Sequence, residues 1–140
     1  MSRERLSGKR ALVTGGGRGI GAAIARRLAA EGAAVAVNYV ADAASAESLV
    51  NELRGNGTPT AAFQADVSDP AETSRLVEAV VQEFGGLDVL ASNAGVEYFG
   101  PLESITPADF DRVFGINVGG LGDEQLAAAA VMEPGSRILL

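Results

Sequence analysis

The sequence contains neither cysteine nor histidine. The absence of cysteine excludes disulfides and thiol chemistry, and it fits a cytoplasmic protein. The absence of histidine excludes histidine metal sites and every mechanism that uses a histidine base. Lysine and tyrosine are scarce as well: the sequence has one lysine, Lys9, and two tyrosines, Tyr39 and Tyr98.

Basic residues are also few: the sequence has 18 acidic and 11 basic side chains, and its formal net charge is −7. This charge argues against a nucleic acid as the main partner, so any phosphate must be recognised by backbone N–H groups and one or two arginines. No apolar run approaches the length of a membrane span, and residues 1–6 lack the apolar core of a signal peptide. We therefore expect a cytoplasmic protein without a membrane partner.

Short apolar runs alternate with helical patterns along the chain. The predicted strands are residues 10–14, 33–39, 60–65, 87–92 and a fifth that begins at 137, and the predicted helices are 19–31, 42–54, 70–84, one that begins at 106–107, and 121–132. Repeated strand–helix units with short links predict a parallel sheet covered on both faces. We expect one domain over residues 1–140, a doubly wound α/β sheet (Rossmann fold) of order 3-2-1-4-5 that is incomplete at its C-terminus within strand five.

Two helix starts carry capping signals. Asp69, Pro70 and Glu72 predict an N-cap with a pair that resembles a capping box, and Thr106-Pro107 predicts a second N-cap. Gly32 stands where a helix C-cap glycine belongs, so it predicts the end of the first helix.

A glycine-rich turn lies between the first predicted strand and the first predicted helix. Its sequence is Thr14-Gly15-Gly16-Gly17-Arg18-Gly19-Ile20-Gly21. Glycines let the backbone turn sharply and approach a pyrophosphate, and the start of the helix offers free N–H groups and the positive end of a dipole. Strand, glycine turn and helix together indicate a dinucleotide-binding motif. The alternative is a tight turn that only packs the helix against the strand.

Polar or glycine-rich segments follow four consecutive predicted strands, and the carboxyl ends of parallel strands form the ligand crevice of such sheets. These segments are Thr14–Gly21, Asn38-Tyr39, Asp66-Val67 and Asn93-Ala94-Gly95. Because aspartate, asparagine and glycine also favour turns, ordinary strand-exit turns are the alternative.

The order and spacing of these motifs identify a family resemblance. Thr14-Gly-x-x-x-Gly19-x-Gly21, Asp66-Val67, Asn93-Ala94-Gly95 and Asn117 together resemble a short-chain dehydrogenase/reductase over essentially the whole chain. Three further segments resemble the hydroxynaphthalene and versicolorin reductases and related bacterial ketoreductases: Val37–Tyr39, Ser92–Val96 and Phe110–Phe114. The resemblance implies an oxidoreductase that transfers a hydride between a nicotinamide cofactor and a small-molecule carbonyl or alcohol substrate.

The resemblance also implies a role for each matching residue. Thr14 and Gly17 belong to the turn, where Gly15, Gly19, Gly21 and the backbone of Ile20 would hold the pyrophosphate and the nearby ribose. Asp66 would accept a hydrogen bond from the adenine amino group, with Val67 beside the ring. Asn93, Ala94 and Gly95 would line the cofactor. Asn117 would be catalytic, because in the family this asparagine holds a water linked to the catalytic lysine.

Asn117 shares a helix stripe with Phe110, Val113 and Phe114, so we expect its amide to point inward. A buried amide needs hydrogen-bond partners. The alternative to a catalytic role is a structural core asparagine that bonds to the backbone.

The end of the second strand bears on the choice of cofactor. An NAD site has an acid there for the ribose 2′-hydroxyl, whereas this chain has Asn38 and Tyr39. Arg18 in the glycine turn is placed to contact the 2′-phosphate of NADP. We therefore expect NADP(H) as the cofactor, with NAD possible because Asp42 is close in sequence and because Arg18 is alternatively a solvated loop arginine.

The family's catalytic tyrosine donates a proton to the carbonyl, and a lysine four residues later lowers its pKa. Here the residue four after Tyr39 is Ala43, and the residue four after Tyr98 is Leu102. We therefore expect the 140-residue chain alone to be inactive or nearly so. The alternatives are a non-catalytic dinucleotide-binding or interaction module and, less favoured by the motifs, a flavin-binding domain.

Two other segments bear on partners. Family members are homo-oligomers and carry larger apolar residues where this chain has Gly119–Glu124, so these glycines and acids weaken the helix and place charge near the expected interface. Oligomerisation is therefore doubtful for this chain. Glu97–Gly100 either lines one wall of the substrate pocket or is an ordinary strand-to-helix loop.

Overall fold

The computed structural model describes residues 4–95 and 102–139. Five parallel strands form one sheet in the order β3-β2-β1-β4-β5. Their bounds are β1 Arg10–Val13, β2 Ala34–Tyr39, β3 Thr60–Gln64, β4 Val89–Ala91 and β5 Arg137–Leu139. The expected doubly wound sheet and its strand order are therefore confirmed.

Helices connect the strands and cover both faces of the sheet. Their bounds are α1 Gly19–Ala30, α2 Ala43–Gly55, α3 Pro70–Phe84, α4 Pro107–Phe114 and α5 Leu121–Ala129, with a short 3₁₀ helix at Leu102–Ser104 and a π-helical segment at Gly115–Gly120. Within the described ranges, no helix has both the length and the apolar character needed to cross a bilayer.

The core is divided between the two faces of the sheet. On one face, α1 and α2 pack alanine, leucine and valine side chains against β1, β2 and β4. On the other face, α3 and α5 pack around Leu12 of β1, Ala36 of β2 and Leu90 of β4. These three residues are paired across the central strands and are fully buried. The burial of both faces explains why the strands are continuous apolar runs rather than alternating patterns.

The caps at the helix starts follow the sequence, with one difference. Asp69 caps α3 by accepting from the backbone N–H groups of Ala71 and Glu72, and Thr106 caps α4 in a complete capping box with Asp109. Asp69 and Glu72, which the sequence predicted as a pair resembling a capping box, do not form one. The Glu72 carboxylate instead accepts from the N–H of Asp66 at 3.2 Å, because the chain leaving β3 passes over the start of α3.

The π-helical segment joins α4 to α5 without a break, whereas the sequence predicted a separate helix from Leu121. Gly120 lies within this segment, and a Cβ atom placed on it would be 2.7 Å from the carbonyl oxygen of Val67. A glycine is required there because any side chain would collide with the backbone that follows β3. The wider helical turn and the small residue together bring α5 close to the sheet.

The central position of Leu12 gives a test of the core. Replacing Leu12 by alanine leaves a cavity between α3 and the sheet, so we expect a loss of about 2–5 kcal/mol in the free energy of unfolding, measured by urea denaturation. Leu126→Ala is the matched control, because Leu126 is 75% exposed and its loss should change the free energy by about 0.5 kcal/mol or less. Equal effects of the two substitutions would contradict the assigned core.

Candidate dinucleotide-binding site

The glycine turn lies at the carboxyl edge of the sheet, between β1 and α1, and its backbone conformation requires glycine. Gly15 and Gly19 both have φ +59, in the left-handed region. Gly21 has no room for a side chain, because a Cβ atom there would overlap the carbonyl oxygen of Gly15 and lie 2.6 Å from Nδ2 of Asn93. The turn is therefore packed tightly enough that glycine is needed for close approach as well as for conformation.

Asn38, at the second-last position of β2, fixes one side of the turn. Its Oδ1 accepts from the N–H of Gly15 at 3.2 Å, and its Nδ2 donates to the carbonyl oxygens of Phe63 and Ala65, each at 3.2 Å. The residue is fully buried. The amide of Asn38 thus holds the glycine turn to the end of β3, and the prediction that this residue contributes to cofactor binding stays a prediction. Tyr39, the next residue, is half-buried at the end of the strand.

Thr14 and Asn93 fix the other side of the turn. Thr14 Oγ1 accepts from the N–H groups of Asn93 at 3.0 Å and Ala94 at 3.2 Å, and Asn93 Nδ2 donates to the carbonyl oxygen of Gly15 at 3.2 Å. Thr14 is fully buried and its hydroxyl supports the turn from below, while its assignment to the cofactor site stays a prediction. Asn93 and Ala94 remain half-buried and Gly95 is exposed, in keeping with residues that line a crevice.

Arg18 occupies the N-cap position of α1 and makes no capping hydrogen bond with its side chain. That side chain is 81% exposed, and its Nη1 lies 3.8 Å from Oδ2 of Asp42. The exposed side chain of Ile20 and the backbone of Gly17 and Gly19 lie in the same stretch of chain. Arg18 is therefore available to a ligand but already has a weak anionic neighbour.

A cavity of about 430 Å³ lies between the glycine turn and α2. Its lining includes Gly17, Arg18, Gly19, Arg26, Ser45 and Ser48. Arg26 is held by Glu52, since its Nε lies 2.8 Å from the carboxylate oxygen. Backbone N–H groups, two serine hydroxyls and an exposed arginine are groups that bind phosphate.

Asp42 is the N-cap of α2 and belongs to the wall of this region. Its Oδ1 accepts from the N–H of Ser45 at 3.1 Å and its Oδ2 from the Ser45 hydroxyl at 2.7 Å. These hydrogen bonds, with a smaller contribution from Arg18, lower the pKa of Asp42 below its ordinary value. The carboxylate therefore stays charged at neutral pH and opposes a second negative charge beside Arg18.

The segment after β3 is only partly open to a ligand. The Oδ1 atom of Asp66 accepts from the N–H of Ser68 at 3.0 Å and from its hydroxyl at 2.6 Å, and Asp66 itself is half-buried. Val67 is fully buried in the core cluster on the α3 side, and its place beside an adenine ring stays a prediction. Gly120 explains this burial, because the π-helical segment passes directly over the backbone of Val67.

Asn117 lies in the π-helical segment and is exposed, as are Phe110 and Phe114, whereas Val113 is half-buried. The inward orientation predicted from the shared stripe is therefore wrong, since three of its four residues are exposed. The structure nevertheless brings Asn117 to the crevice. A Cβ atom placed on Gly95 would be 3.1 Å from Oδ1 of Asn117.

Glu124 is the polar residue whose position sequence reasoning missed. We expected its charge near a subunit interface, whereas the structure buries it inside the chain, with 2% of the residue exposed. Burial raises the pKa of Glu124, the hydroxyls of Thr14 and Ser92 oppose this rise, and the charge of Asp123 adds to it. The signal in the sequence is the four-residue spacing of Gly120, Glu124 and Ala128, which places the carboxyl on the same face as two small residues.

Glu97–Gly100, the predicted wall of a substrate pocket, lies outside the described residues. Among the residues that the structure describes, no cluster of three or more acidic side chains has the arrangement of a metal site.

Comparison with known proteins identifies the family. The family model for short chain dehydrogenase matches residues 9–137. Versicolorin reductase 1 of Aspergillus parasiticus is 49% identical over 137 residues, which are 98% of this chain and 52% of that protein. Elsinochrome reductase 1 of Elsinoe fawcettii is 46% identical over 140 residues, which are 100% of this chain and 52% of that protein. The chain belongs to the short-chain dehydrogenase/reductase family of oxidoreductases.

Solved structures give the same result and bear on the ligand. A short chain dehydrogenase from Burkholderia cenocepacia in complex with NADP superposes with a TM-score of 0.92 at 46% identity, covering 96% of this chain and 55% of that one. A blue fluorescent protein from a metagenomic library, in complex with NADPH, has a TM-score of 0.90 at 46% identity over the same shares. The chain thus spans about half the length of the relatives that it matches.

Thr14 gives a direct test of how the site is built. Thr14→Val keeps the shape of the side chain but leaves the buried N–H groups of Asn93 and Ala94 without their acceptor, so we expect a loss of about 1–3 kcal/mol in the free energy of unfolding. Thr14→Ser keeps the hydroxyl and is the control, with a smaller loss from one missing methyl group. Urea denaturation of both variants measures the difference, and equal losses would show that the hydroxyl does not hold the turn.

Proposed function

We propose that residues 1–140 form a single NAD(P)-binding Rossmann domain, the cofactor-binding part of an NADP(H)-dependent short-chain oxidoreductase. The observation that carries this proposal is the glycine turn held between Asn38 and Asn93 at the carboxyl edge of the sheet. Both amides orient backbone groups of Gly15, so the turn is preorganised for a pyrophosphate rather than merely compact. The NADP and NADPH complexes among the similar structures support the same class of ligand.

Each predicted site residue has a place in this proposal. The backbone of Gly15, Gly17, Gly19, Ile20 and Gly21 binds the pyrophosphate and the adjacent ribose, while Thr14 and Asn38 support it from below. Asp66 accepts from the adenine amino group, with Tyr39 and the Val67 backbone nearby. Asn93, Ala94 and Gly95 line the cofactor.

NADP(H) is the preferred cofactor in this proposal because Arg18 is exposed beside a cavity that also contains Ser45 and Ser48. A guanidinium group binds a phosphate through two parallel hydrogen bonds. Asp42 limits the preference, since its charge competes for Arg18 and repels the 2′-phosphate. NAD therefore remains a weaker ligand rather than an excluded one.

The reaction of the complete enzyme is hydride transfer between nicotinamide and a carbonyl or alcohol carbon of a small molecule. The cofactor supplies the hydride, and the protein positions it and handles the proton. Asn117, which lies against Gly95, is the member of the catalytic set that this chain contains. No tyrosine among the 140 residues is followed by a lysine four positions later. The chain alone therefore holds a cofactor but lacks the proton donor.

A non-catalytic dinucleotide-binding or interaction module is the second candidate. The absence of a tyrosine followed four residues later by a lysine favours this candidate. Gly122 and Asp123 also favour it, because the family carries larger apolar residues there. A homo-oligomer of the kind typical of the family is correspondingly doubtful for this chain. Copurification of the chain with a stable partner, without turnover, would support this candidate over the first.

Cofactor choice is tested by calorimetric titration of the 140-residue chain with NADPH and with NADH. We expect tighter binding of NADPH, and Arg18→Ala should weaken NADPH binding by about tenfold while changing NADH binding little. Asp42→Asn keeps a good N-cap residue but removes the charge, so it should strengthen NADPH binding by up to about fivefold. Equal affinities for the two cofactors in the wild-type chain would refute the role of Arg18, and a yellow preparation would indicate a flavin instead.

Activity is tested with the same preparation. With NADPH and a diketone substrate, we expect no oxidation of NADPH above the rate measured without protein, because the paired tyrosine and lysine are absent. The loss of absorbance at 340 nm measures the rate. Turnover by the pure chain, in a sample already shown to bind NADPH, would contradict the proposal that this chain binds the cofactor but lacks the proton donor.

A further inference from the structure

Glu124 places a carboxyl group directly behind the cofactor crevice. It lies on the face of α5 that Gly120 and Ala128 also occupy, and 2% of the residue is exposed. The hydroxyls of Thr14, at the end of β1, and Ser92, just after β4, face this carboxyl. The same two strand ends carry the glycine turn and Asn93, so Glu124 is positioned to act on both.

Glu124 supplies an acceptor for the hydroxyl proton of Thr14. Both lone pairs of Thr14 Oγ1 are used, because it accepts from the N–H groups of Asn93 and Ala94. Its own proton therefore needs an acceptor, and the Glu124 carboxyl is the acceptor that faces it. Ser92 Oγ and Glu124 Oε1 are both buried without a hydrogen-bond partner among residues 4–95 and 102–139. Neither atom bonds to the other as the side chains stand, and a protonated carboxyl turned towards Ser92 would pair them.

We propose that Glu124 is a positioning residue for the dinucleotide crevice and that it acts in its uncharged form. One carboxyl oxygen accepts the Thr14 proton, and the other donates its proton to the Ser92 hydroxyl. The carboxyl thereby ties α5 to the ends of β1 and β4 and fixes the Thr14 oxygen that holds Asn93 and Ala94. The inference rests on the proposed function, because it assigns Glu124 to the same dinucleotide site.

The surroundings of Glu124 favour this uncharged form. The buried side chains of α3, which packs against α5, are Thr73, Leu76, Val77 and Val80. On the same face of the central strands the fully buried residues are Leu12 and Leu90, with Thr14 just after β1. Asn117 is the polar side chain of the π-helical segment, and Asp123 is the charged group whose field reaches the carboxyl within the described residues. An ionised Glu124 would therefore be buried beside the like charge of Asp123, which is costly.

The bound dinucleotide strengthens the same preference. Its pyrophosphate adds negative charge over the turn that begins immediately after Thr14. Two negative charges in a poorly solvated region destabilise each other. Protonation of Glu124 therefore favours binding of the dinucleotide, and binding of the dinucleotide favours protonation of Glu124. By reciprocity, the affinity for the dinucleotide falls as the pH rises through the pKa of Glu124.

The experiment compares wild type with Glu124→Gln, in which the amide reproduces the hydrogen bonds of the uncharged carboxyl without titrating. The dissociation constant of NADP⁺ is measured by calorimetry between pH 5.5 and 8.5. The 2′-phosphate itself titrates near pH 6 and affects both proteins alike. The quantity to compare at each pH is therefore the dissociation constant of wild type divided by that of Glu124→Gln. We expect this ratio to rise with pH, by about tenfold for each unit by which the ligand raises the pKa of Glu124. Glu83→Gln, at an exposed position of α3, should follow wild type.

A second variant and a second measurement separate positioning from packing. Glu124→Leu fills the space but cannot bond to Thr14 or Ser92, so it should bind NADP⁺ more weakly than Glu124→Gln at every pH. Because the folded-state pKa of Glu124 is raised, its stabilising contribution is complete at acid pH and is lost as the pH rises through that pKa. The melting temperature of wild type should therefore fall with rising pH relative to Glu124→Gln.

The outcomes distinguish this inference from the proposed function. Binding of NADP⁺ with the same pH dependence in wild type and Glu124→Gln would overturn the inference and leave the proposed function standing. Equal binding by the leucine and glutamine variants would also overturn it. Failure of both wild type and Glu124→Gln to bind at any pH, in samples shown to be folded by their melting transitions, would refute the proposed function and the inference with it.

Discussion

The arrangement of the cofactor crevice depends on buried hydrogen bonds beneath the glycine turn. Asn38 ties Gly15 to the end of β3, while Thr14 and Asn93 tie it to the end of β4. Buried polar groups of this kind are costly unless each one is paired. The hydrogen bonds therefore form only when the turn and the ends of β2, β3 and β4 are all in their native positions. The glycines give the turn its conformation, and the two amides hold Gly15 in place by its N–H and by its carbonyl oxygen.

Local signals predicted most of the fold. Apolar runs located all five strands, Asp69 and Thr106 marked the starts of α3 and α4, and Gly32 lies in the left-handed conformation just after α1. These signals succeed because they depend on neighbours in sequence. Asn38, Val67 and Asn117 were harder to interpret, because their exposure depends on how distant segments meet. The π-helical turn in particular cannot be inferred from helical periodicity.

The crevice combines fixed and adjustable parts. The network below the turn is buried and leaves no freedom to its side chains, whereas Arg18 and Asp42 on the rim are exposed and only 3.8 Å apart. Exposed pairs contribute little to stability, so this pair can separate and re-form around a ligand at small cost. Under the proposed function, the backbone of the turn recognises the pyrophosphate, while exposed Arg18 and the competing charge of Asp42 discriminate between cofactors. Substitution of either residue is then expected to change specificity with little effect on the fold.

The π-helical segment Gly115–Gly120 also has a consequence for length variation in the chain. An α-helix turns by about 100° per residue, and a π turn accommodates a residue that a regular helix would not. Deleting one residue here would let the segment return to regular α-helical turns, and the residues after it would keep their orientation towards the sheet. If all six residues were instead wound as a regular α-helix, everything after them would rotate by about that angle, and Glu124 would no longer face the sheet. The orientation of α5 therefore depends on the π-helical winding of this segment as well as on the identity of its residues.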